Sequence, residues 1–595
     1  MPKRRQLSAW FALLFFLLLT LFMTYPLSRQ LDRQVRDYGD SLLNTWILAT
    51  VANKLARLEF NHFFAANIFY PEEKPLLYSE LLIPQALLAI PLLKITRNPV
   101  LTHNIILLIA LLTSALSMFF LARFLCQSFW PSVVAGVIFA FSPFMMAHTV
   151  QLQVVSAGGL PLLFLFLHRY FRRGHFADWV VFSVIYIVQS LANLYYALFL
   201  IIFSGLFILS SALVEKTYGQ KKFWLHILVF ILAVSLCLGP IFLAYSKQQK
   251  RPGFERTIGA EAKLSSFLAT GRIDRLYGRF LAQFRQPEGE LFPGFIPLAL
   301  ALTGFILTFI NRKNKGPGVV QGQRSEAEGR RHPPQAEAGN QVEEKMDRES
   351  AGGGKESFSG SERLEPKKVV LIYSLIFGLA VWFCFGSKGP FWLLYRFVPG
   401  YKAIRAVPRF YVFALLSLAL FSAIGLTYLR AKIKSQSLQI ALTIIFLTLI
   451  VIEYISIPLP TRPVVLRSNL PPVYQELAKW QEKKVLLELP LPEPGTGIGR
   501  VEAPRMYYSL FHGHRLVNGY SGFFSPTYVE VRESLHQKPL EENILFWKRL
   551  GINLIIIHAE ELKTENYSNL IEVLKNSSYL HFSGQFLADF LFAIN

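Results

Sequence analysis

Residues 80–96 read ELLIPQALLAIPLLKIT, and the direction of every later helix depends on whether this stretch crosses a membrane. Around it lie apolar runs near the roughly 20 residues needed to cross ~30 Å of hydrocarbon. They fall at about 7–27, 102–123, 129–147, 155–171, 177–194, 196–214, 222–245, 292–311, 367–386, 409–429 and 437–458. With 80–96 left out there are about eleven spans, and the connections on the side of the N-terminus are basic. They carry Arg123, then His168, Arg169, Arg172 and Arg173, then Lys216, Lys221 and Lys222, then Arg312, Lys313 and Lys315, and last Arg430, Lys432 and Lys434. The short turns near 149–154 and 193–196 carry no charge. Lys and Arg collect on the cytoplasmic side of membrane spans. Counting 80–96 as a span would turn all these clusters outward. The stretch, which also holds Pro84, Gln85 and Pro91, therefore reads as a helix lying at the outer membrane surface.

The composition agrees with a polytopic membrane protein. Of 595 residues, 52% are hydrophobic and only 17% charged, against about 25% charged in soluble chains, and the mean hydropathy is +0.36. Three cysteines (Cys126, Cys237, Cys384) cannot form a disulfide framework in this length and read as buried thiols or bystanders. The net charge of +22 resembles a nucleic-acid signal, but the cations sit at span ends, and no zinc spacing, Walker loop or RNA-binding signature accompanies them. No nucleic-acid partner is expected. At the N-terminus, Lys3, Arg4 and Arg5 precede an apolar run followed by TYPLSRQ, which lacks the small-residue pattern of a cleavage site. That run reads as a retained first helix with a cytoplasmic N-terminus.

Six segments result: a first transmembrane helix (1–27), an outer loop with juxtamembrane helices (28–101), a transmembrane bundle (102–311), a polar insert (312–366), further transmembrane helices (367–459) and a C-terminal domain (460–595). The insert is rich in Gly, Glu, Arg, Lys and Ser and cannot bury a core, so cytoplasmic disorder is expected. The last segment alternates β-rich runs at 484–489 and 552–558 with helical patterns at 471–481, 525–536 and 541–550. It reads as a small extracytoplasmic α/β unit.

Ionisable residues at the membrane face of a bundle are functional candidates. The outer loop begins RDYGDSLLNTWILA, with Asp37 and Asp40 within one turn of each other and Asn44 one turn further. If 41–54 is helical, Asp40 also suits a plain N-cap. Glu80 opens the apolar surface stretch, where a carboxylate needs pairing or hydration; charge at a helix N-terminus suits it equally well. FSPFMMAHTVQLQ places His148 and Gln151 on one face of a helix end. The loop 246–291 offers Glu255 and Arg256, and the loop 387–408 leads into Arg409 with Lys388, Arg396, Lys402 and Arg405 among aromatic residues. Such a basic cluster suits a phosphate or pyrophosphate lipid head, although each member alone also suits interfacial snorkelling. Carboxylates on one loop and cations on others suit a transferase that binds a lipid-linked anionic donor and deprotonates an acceptor.

The runs GDSLLNTWILA (39–49), FYPEEKPLLYSELLIPQALLAIP (69–91), FAFSPFMMAHTVQLQ (139–153), PGYKAIRAVPRFYVFALL (399–416) and LVNGYSGFFSPTY (516–528) resemble bacterial GT-C superfamily proteins. These are multi-span glycosyltransferases using polyprenyl-phosphate sugars, related to protein mannosyltransferases and aminoarabinose transferases. The likeness is strongest to YfhO-like members with an outer C-terminal domain. The resemblance implies a helical bundle and a polyprenyl-phosphate-sugar donor in membrane lipid. It also implies a glycan, lipid or protein acceptor, and a first outer loop that supplies the key acid. Asp40 matches that position, Asp37 is its neighbour, and Glu80 assists. The second acid that protein mannosyltransferases carry at the next outer turn is absent, and His148 and Gln151 stand there. No cofactor is identified; the resemblance leaves room for a divalent metal, Mg or Mn. The expected activity is inverting glycosyl transfer on the extracytoplasmic face of the bacterial inner membrane. The competing readings are an inactive GT-C-like scaffold and a lipid or solute transporter, and the transporter would need repeat symmetry and broken spans.

Overall fold

The computed structural model describes residues 2–254, 257–310, 366–493, 495, 497–562 and 567–595. The expected insert 312–366 lies outside the described residues up to Pro366, where a helix begins. Among the described residues, eight helices are long and apolar enough to cross a membrane: Pro99–Cys126, Phe129–Val150, Leu152–Arg173, Leu194–Val214, Lys221–Gln249, Pro366–Cys384, Val407–Ala431 and Gln436–Glu453. The other three expected spans are apolar helices as well, Pro2–Met23, Phe176–Ala192 and Phe295–Ile310, the last reaching the edge of the described residues. Single residues set one end of each. Pro26 lacks the N–H to continue the first. Asn193 leaves the helical region and turns its Oδ1 to accept from the amides of Tyr195 and Tyr196, at 2.9 and 3.2 Å, capping the next helix. Gly294, at φ +90°, precedes the third.

Residues Ile83–Thr96 form a 14-residue helix, about 21 Å long at 1.5 Å per residue, short of a ~30 Å hydrocarbon core. The helices are not equally enclosed. Within their most apolar windows, Phe129–Val150 and Val407–Ala431 are 89% buried, while Lys221–Gln249 is 6% buried and presents its side chains outward. The two central helices fill the middle of the bundle and bring their ends to one place. Val407–Ala431 packs closely on Phe295–Ile310. A methyl on Gly304 would collide with the carbonyl of Phe421, and one on Gly425 with the carbonyl of Leu300, as expected where small residues let membrane helices touch. Gly425→Ala should therefore cost about 1–3 kcal/mol through overpacking. Thermal unfolding in detergent would read this as a lowered midpoint, and an unchanged midpoint would deny the close approach.

The C-terminal unit is a five-stranded sheet in the order Arg515–Leu516, Val485–Leu489, Leu554–His558, Asp589–Ile594, Leu580–Phe586. The first three strands are parallel, and the last two close the sheet as an antiparallel hairpin. The two central strands are apolar on both faces, with Leu486, Leu487, Ile555 and Ile556 buried, as parallel strands covered by helices require. The helices Pro472–Lys479, Pro526–Gln537 and Leu540–Arg549 lie where the periodicity places them. Helix Ile498–His512 was not expected; it carries Pro504 in its interior and mixes charged with apolar residues.

This unit is tied to the first loop along the backbone. Gln34–Val35 pairs antiparallel with Arg462–Pro463. The amides of Phe69 and Tyr70 donate to the carbonyls of Asn518 and Leu516, at 3.2 and 2.8 Å. The run 516–528 is thus laid against the loop that carries Asp40.

Candidate active site

The loop helix Asp40–Ala56 begins one residue after Gly39. Asp37, not Asp40, does the capping: its Oδ1 accepts from the amide of Ser41 at 2.9 Å. This corrects the N-cap reading of Asp40 and leaves the Asp40 carboxylate for other partners at the positive end of the helix. Gln151 Nε2 donates to Asp40 Oδ2 at 2.9 Å, and the Tyr520 hydroxyl donates to Asp40 Oδ1 at 3.1 Å. Tyr520 comes from the C-terminal unit, 480 residues away in sequence. Its close seat is made by glycine. A methyl on Gly499 would lie 2.8 Å from Tyr520 Cζ and 3.1 Å from Gly39 Cα.

A second carboxylate stands beside the first. Gln151 Nε2 also donates to Glu288 Oε1, at 3.2 Å, so one amide bridges two acids. Arg409 grips Glu288 with both arms of its guanidinium, Nε to Oε2 at 2.8 Å and Nη2 to Oε1 at 2.7 Å, and Nη2 also donates to Gln151 Oε1 at 3.0 Å. His148 Nε2 lies 3.0 Å from Glu288 Oε2, while its Nδ1 faces the carbonyl of Phe144 at 2.7 Å. Glu288 holds this place with a left-handed backbone, φ +59°, a conformation that costs a non-glycine residue roughly 1–3 kcal/mol and collects at functional sites. The turn of His148 and Gln151 has no acid of its own, and Glu288 reaches both residues from a different loop.

The environment separates the two acids. Burial raises the proton affinity of Asp40; the Gln151 hydrogen bond and the Arg409 charge pull against this without cancelling it. Burial would raise Glu288 too, but the charge of Arg409 and the hydrogen bonds from His148 and Arg409 prevail and hold it well below the usual carboxylate range. One carboxylate is held ionised by its arginine, and the other is raised in proton affinity by burial.

The remaining expected residues fall elsewhere. Asn44 is buried and donates to the carbonyl of Val150 at 3.3 Å, a structural contact. Glu80 Oε2 accepts from the amide of Leu194 at 2.9 Å, at the start of the helix Leu194–Val214. Of the basic loop, only Arg409 is buried, and its charge is committed to Glu288. Lys388, Arg396, Lys402 and Arg405 are exposed. Arg396 lies over the Phe397 ring, 5.9 Å from its centre, and Arg405 is near enough to Tyr520 for its charge to oppose the effect of burial on that hydroxyl. Glu255 and Arg256 lie outside the described residues. Arg36, not singled out in the sequence, is buried and donates through Nε to Thr149 Oγ1 at 2.9 Å and through Nη1 to the carbonyl of Pro460. It fixes the turn before Asp40 to both the bundle and the C-terminal unit.

The donor set does not suit a divalent metal. Both oxygens of Glu288 already accept from Arg409, His148 and Gln151, and a cation there would have to displace a guanidinium. Among the described residues no cluster of three His, Cys, Asp or Glu could hold a metal ion.

A helical membrane bundle with a small α/β unit at its C-terminal end is a fold that this chain shares with solved structures of other proteins. No family model matches the chain, and no curated protein matches it. The similarity is to solved structures. A mutant of the arabinofuranosyltransferase AftD from Mycobacteria superposes in one particle class with TM-score 0.57 at 11% identity, over 100% of this chain and 41% of that one. A second class gives 0.52 at 12%, over 98% and 41%. ArnT from Cupriavidus metallidurans bound to undecaprenyl phosphate gives 0.49 at 10%, over 99% and 98%. The chain spans about two-fifths of the length of the arabinofuranosyltransferase chains it matches.

Proposed function

We propose that this protein is a membrane glycosyltransferase. It moves a sugar from a polyprenyl-phosphate-linked donor to a glycan, lipid or protein acceptor at the membrane face that carries the α/β unit. The observation that carries the reading is the Asp40 carboxylate, raised in proton affinity and aimed by Gln151 and Tyr520. In this reaction Asp40 takes the proton of an acceptor hydroxyl as its oxygen attacks the anomeric carbon. The bond from that carbon to the phosphate oxygen breaks, and the polyprenyl phosphate leaves with the bonding pair. Attack opposite the leaving group inverts the anomeric centre. A base works best when its pKa lies near the working pH, so the upward shift serves this role. Exposed Arg405, with Lys388, Arg396 and Lys402 on the same loop, supplies positive charge for the donor phosphate. The locked Arg409–Glu288 pair keeps Gln151 in register.

The basic connections Arg169–Arg173, Lys216–Lys222 and Arg430–Lys434 support an orientation with those ends cytoplasmic and the α/β unit outside, in the bacterial inner membrane. The test is to reconstitute the protein in liposomes with a panel of polyprenyl-phosphate sugars and follow release of free polyprenyl phosphate by mass spectrometry. Release with one donor supports the reading, and no release with any of them speaks for a scaffold.

The pH profile follows from the geometry. The Tyr520 hydrogen bond lowers the proton affinity of Asp40. Tyr520→Phe therefore raises it further and moves the acid limb of the rate profile to higher pH. An acid limb that stays in place, or moves to lower pH, would remove Asp40 as the titrating base.

A further inference from the structure

Arg405 stands two residues before the central helix Val407–Ala431. It is exposed, and among the described ion pairs it has none, whereas Arg409, four residues on, is paired with Glu288. The charge of Arg405 reaches the Tyr520 hydroxyl, and that hydroxyl donates to Asp40 Oδ1 at 3.1 Å. A cation without a described counter-ion therefore lies close to the candidate base.

An exposed arginine ordinarily sweeps a wide volume, but this one is fixed at three places. Its amide donates to the Tyr195 hydroxyl at 3.1 Å, and that hydroxyl donates to the carbonyl of Ala403 at 3.3 Å. Its carbonyl accepts from the amides of Gly259 and Ala260, at 3.0 and 3.1 Å, and Ala260 bridges Ala406 in parallel register. Its side chain lies across Gly259. A methyl on Gly259 would stand 2.7 Å from both Cγ and Nε of Arg405 and 3.2 Å from Cδ, so the atoms it meets first all belong to that arm. A larger residue at 259 pushes the arm aside and leaves the backbone where it is. Tyr195 serves both arginines. Its ring lies against the Arg409 guanidinium, 5.3 Å from ring centre to Cζ, while its hydroxyl sets the backbone of Arg405.

We propose that Gly259 and Tyr195 are positioning residues that hold the Arg405 guanidinium near Asp40 to receive the phosphate of the donor. The inference rests on the transferase reading for the identity of the ligand, and it singles out Arg405 among the four exposed cations of its loop. A guanidinium fork meets two phosphate oxygens at once. Fixed beforehand, it binds without the ordering cost of a free side chain. The phosphate gathers negative charge as its bond to the anomeric carbon breaks, and a preorganised cation favours that departure.

The test uses the full chain in lipid nanodiscs. Tritiated farnesyl phosphate and tritiated farnesol are titrated separately, and bound ligand is counted against empty nanodiscs. Wild type should bind the phosphate more tightly than the alcohol. Arg405→Gln should weaken farnesyl phosphate by about 10–100-fold, the loss of a charged hydrogen-bonding partner. Gly259→Ala, which displaces the arm, and Tyr195→Phe, which keeps the ring and removes the hydroxyl, should each weaken it by about 2–10-fold, the cost of ordering one long side chain. Binding of farnesol should not change in any of the three. Because Gly259 acts through Arg405, the double variant Gly259→Ala with Arg405→Gln should bind as Arg405→Gln alone does. Equal binding of phosphate and alcohol in wild type, wild-type affinity in Gly259→Ala, an equal loss for farnesol, or additive losses in the double variant would overturn the proposal. Failure of sugar transfer in liposomes, with farnesyl phosphate still bound through Arg405, would instead overturn the transferase reading.

Discussion

Asp40→Asn should lower the rate of sugar transfer by about 10²–10⁴-fold, the range that a positioned general base contributes, while the protein folds and unfolds as wild type. The asparagine has the shape of the aspartate. Its Oδ1 still accepts from Tyr520, and the helix cap is untouched because Asp37 makes it. What is lost is the ability to take a proton, and with it one acceptor of Gln151 Nε2, which keeps its bond to Glu288. Initial rates with the best donor, set beside a thermal unfolding curve of the same preparation, separate the two quantities. A variant that turns over normally would remove Asp40 from the chemistry. A variant that loses activity only because it unfolds would make Asp40 structural.

Glu288→Gln should destabilise the fold by about 3–5 kcal/mol, the usual cost of breaking a buried ion pair from one side. Arg409 is 8% exposed and makes its charged contact with Glu288 alone among the described ion pairs. The glutamine keeps the size of the side chain but leaves the guanidinium buried without a counter-charge, and Gln151 loses the frame that aims it at Asp40. Both stability and transfer fall together, in contrast to Asp40→Asn. The pH dependence has a defined sign. The folded protein depresses the proton affinity of Glu288, so its contribution is fully present above the unfolded carboxyl value of about 4.5. It is lost as the pH falls through the lowered folded value. Unfolding midpoints measured from neutral pH downward should converge for wild type and Glu288→Gln in acid. A constant gap between them would contradict the assignment.

The membrane part was legible because its signals are local. A run of apolar residues reports a helix wherever it packs, and all eleven expected runs are helices among the described residues. Single residues such as Asn193 and Gly294 set helix ends to within a few residues of the expected ones. Asp40, His148, Gln151 and Arg409 could be picked because each is a polar group at the end of an apolar run. Glu288 and Tyr520 could not. Glu288 sits in QPEGE, which reads as a solvated turn, and only a contact across 137 residues turns it toward Gln151. Tyr520 lies in a run that the resemblance had marked, yet nothing local says that its hydroxyl reaches a helix near the other end of the chain. Asp37 and Asp40 were separable only by seeing which oxygen meets the amide of Ser41. The basic loop looked like one cluster of five; folding splits it into a buried arginine that holds Glu288 and four exposed cations.

The most direct test of Asp40 as the base of a glycosyl transfer is to place wild type and Asp40→Asn side by side in proteoliposomes loaded with polyprenyl-phosphate sugars, and to count donor and free polyprenyl phosphate over time by mass spectrometry. The account predicts that donor is consumed and polyprenyl phosphate appears in wild type, with neither change in the variant above the empty liposomes. Equal consumption in both proteins would contradict the role of Asp40, and no consumption in either with any donor would contradict the transferase itself.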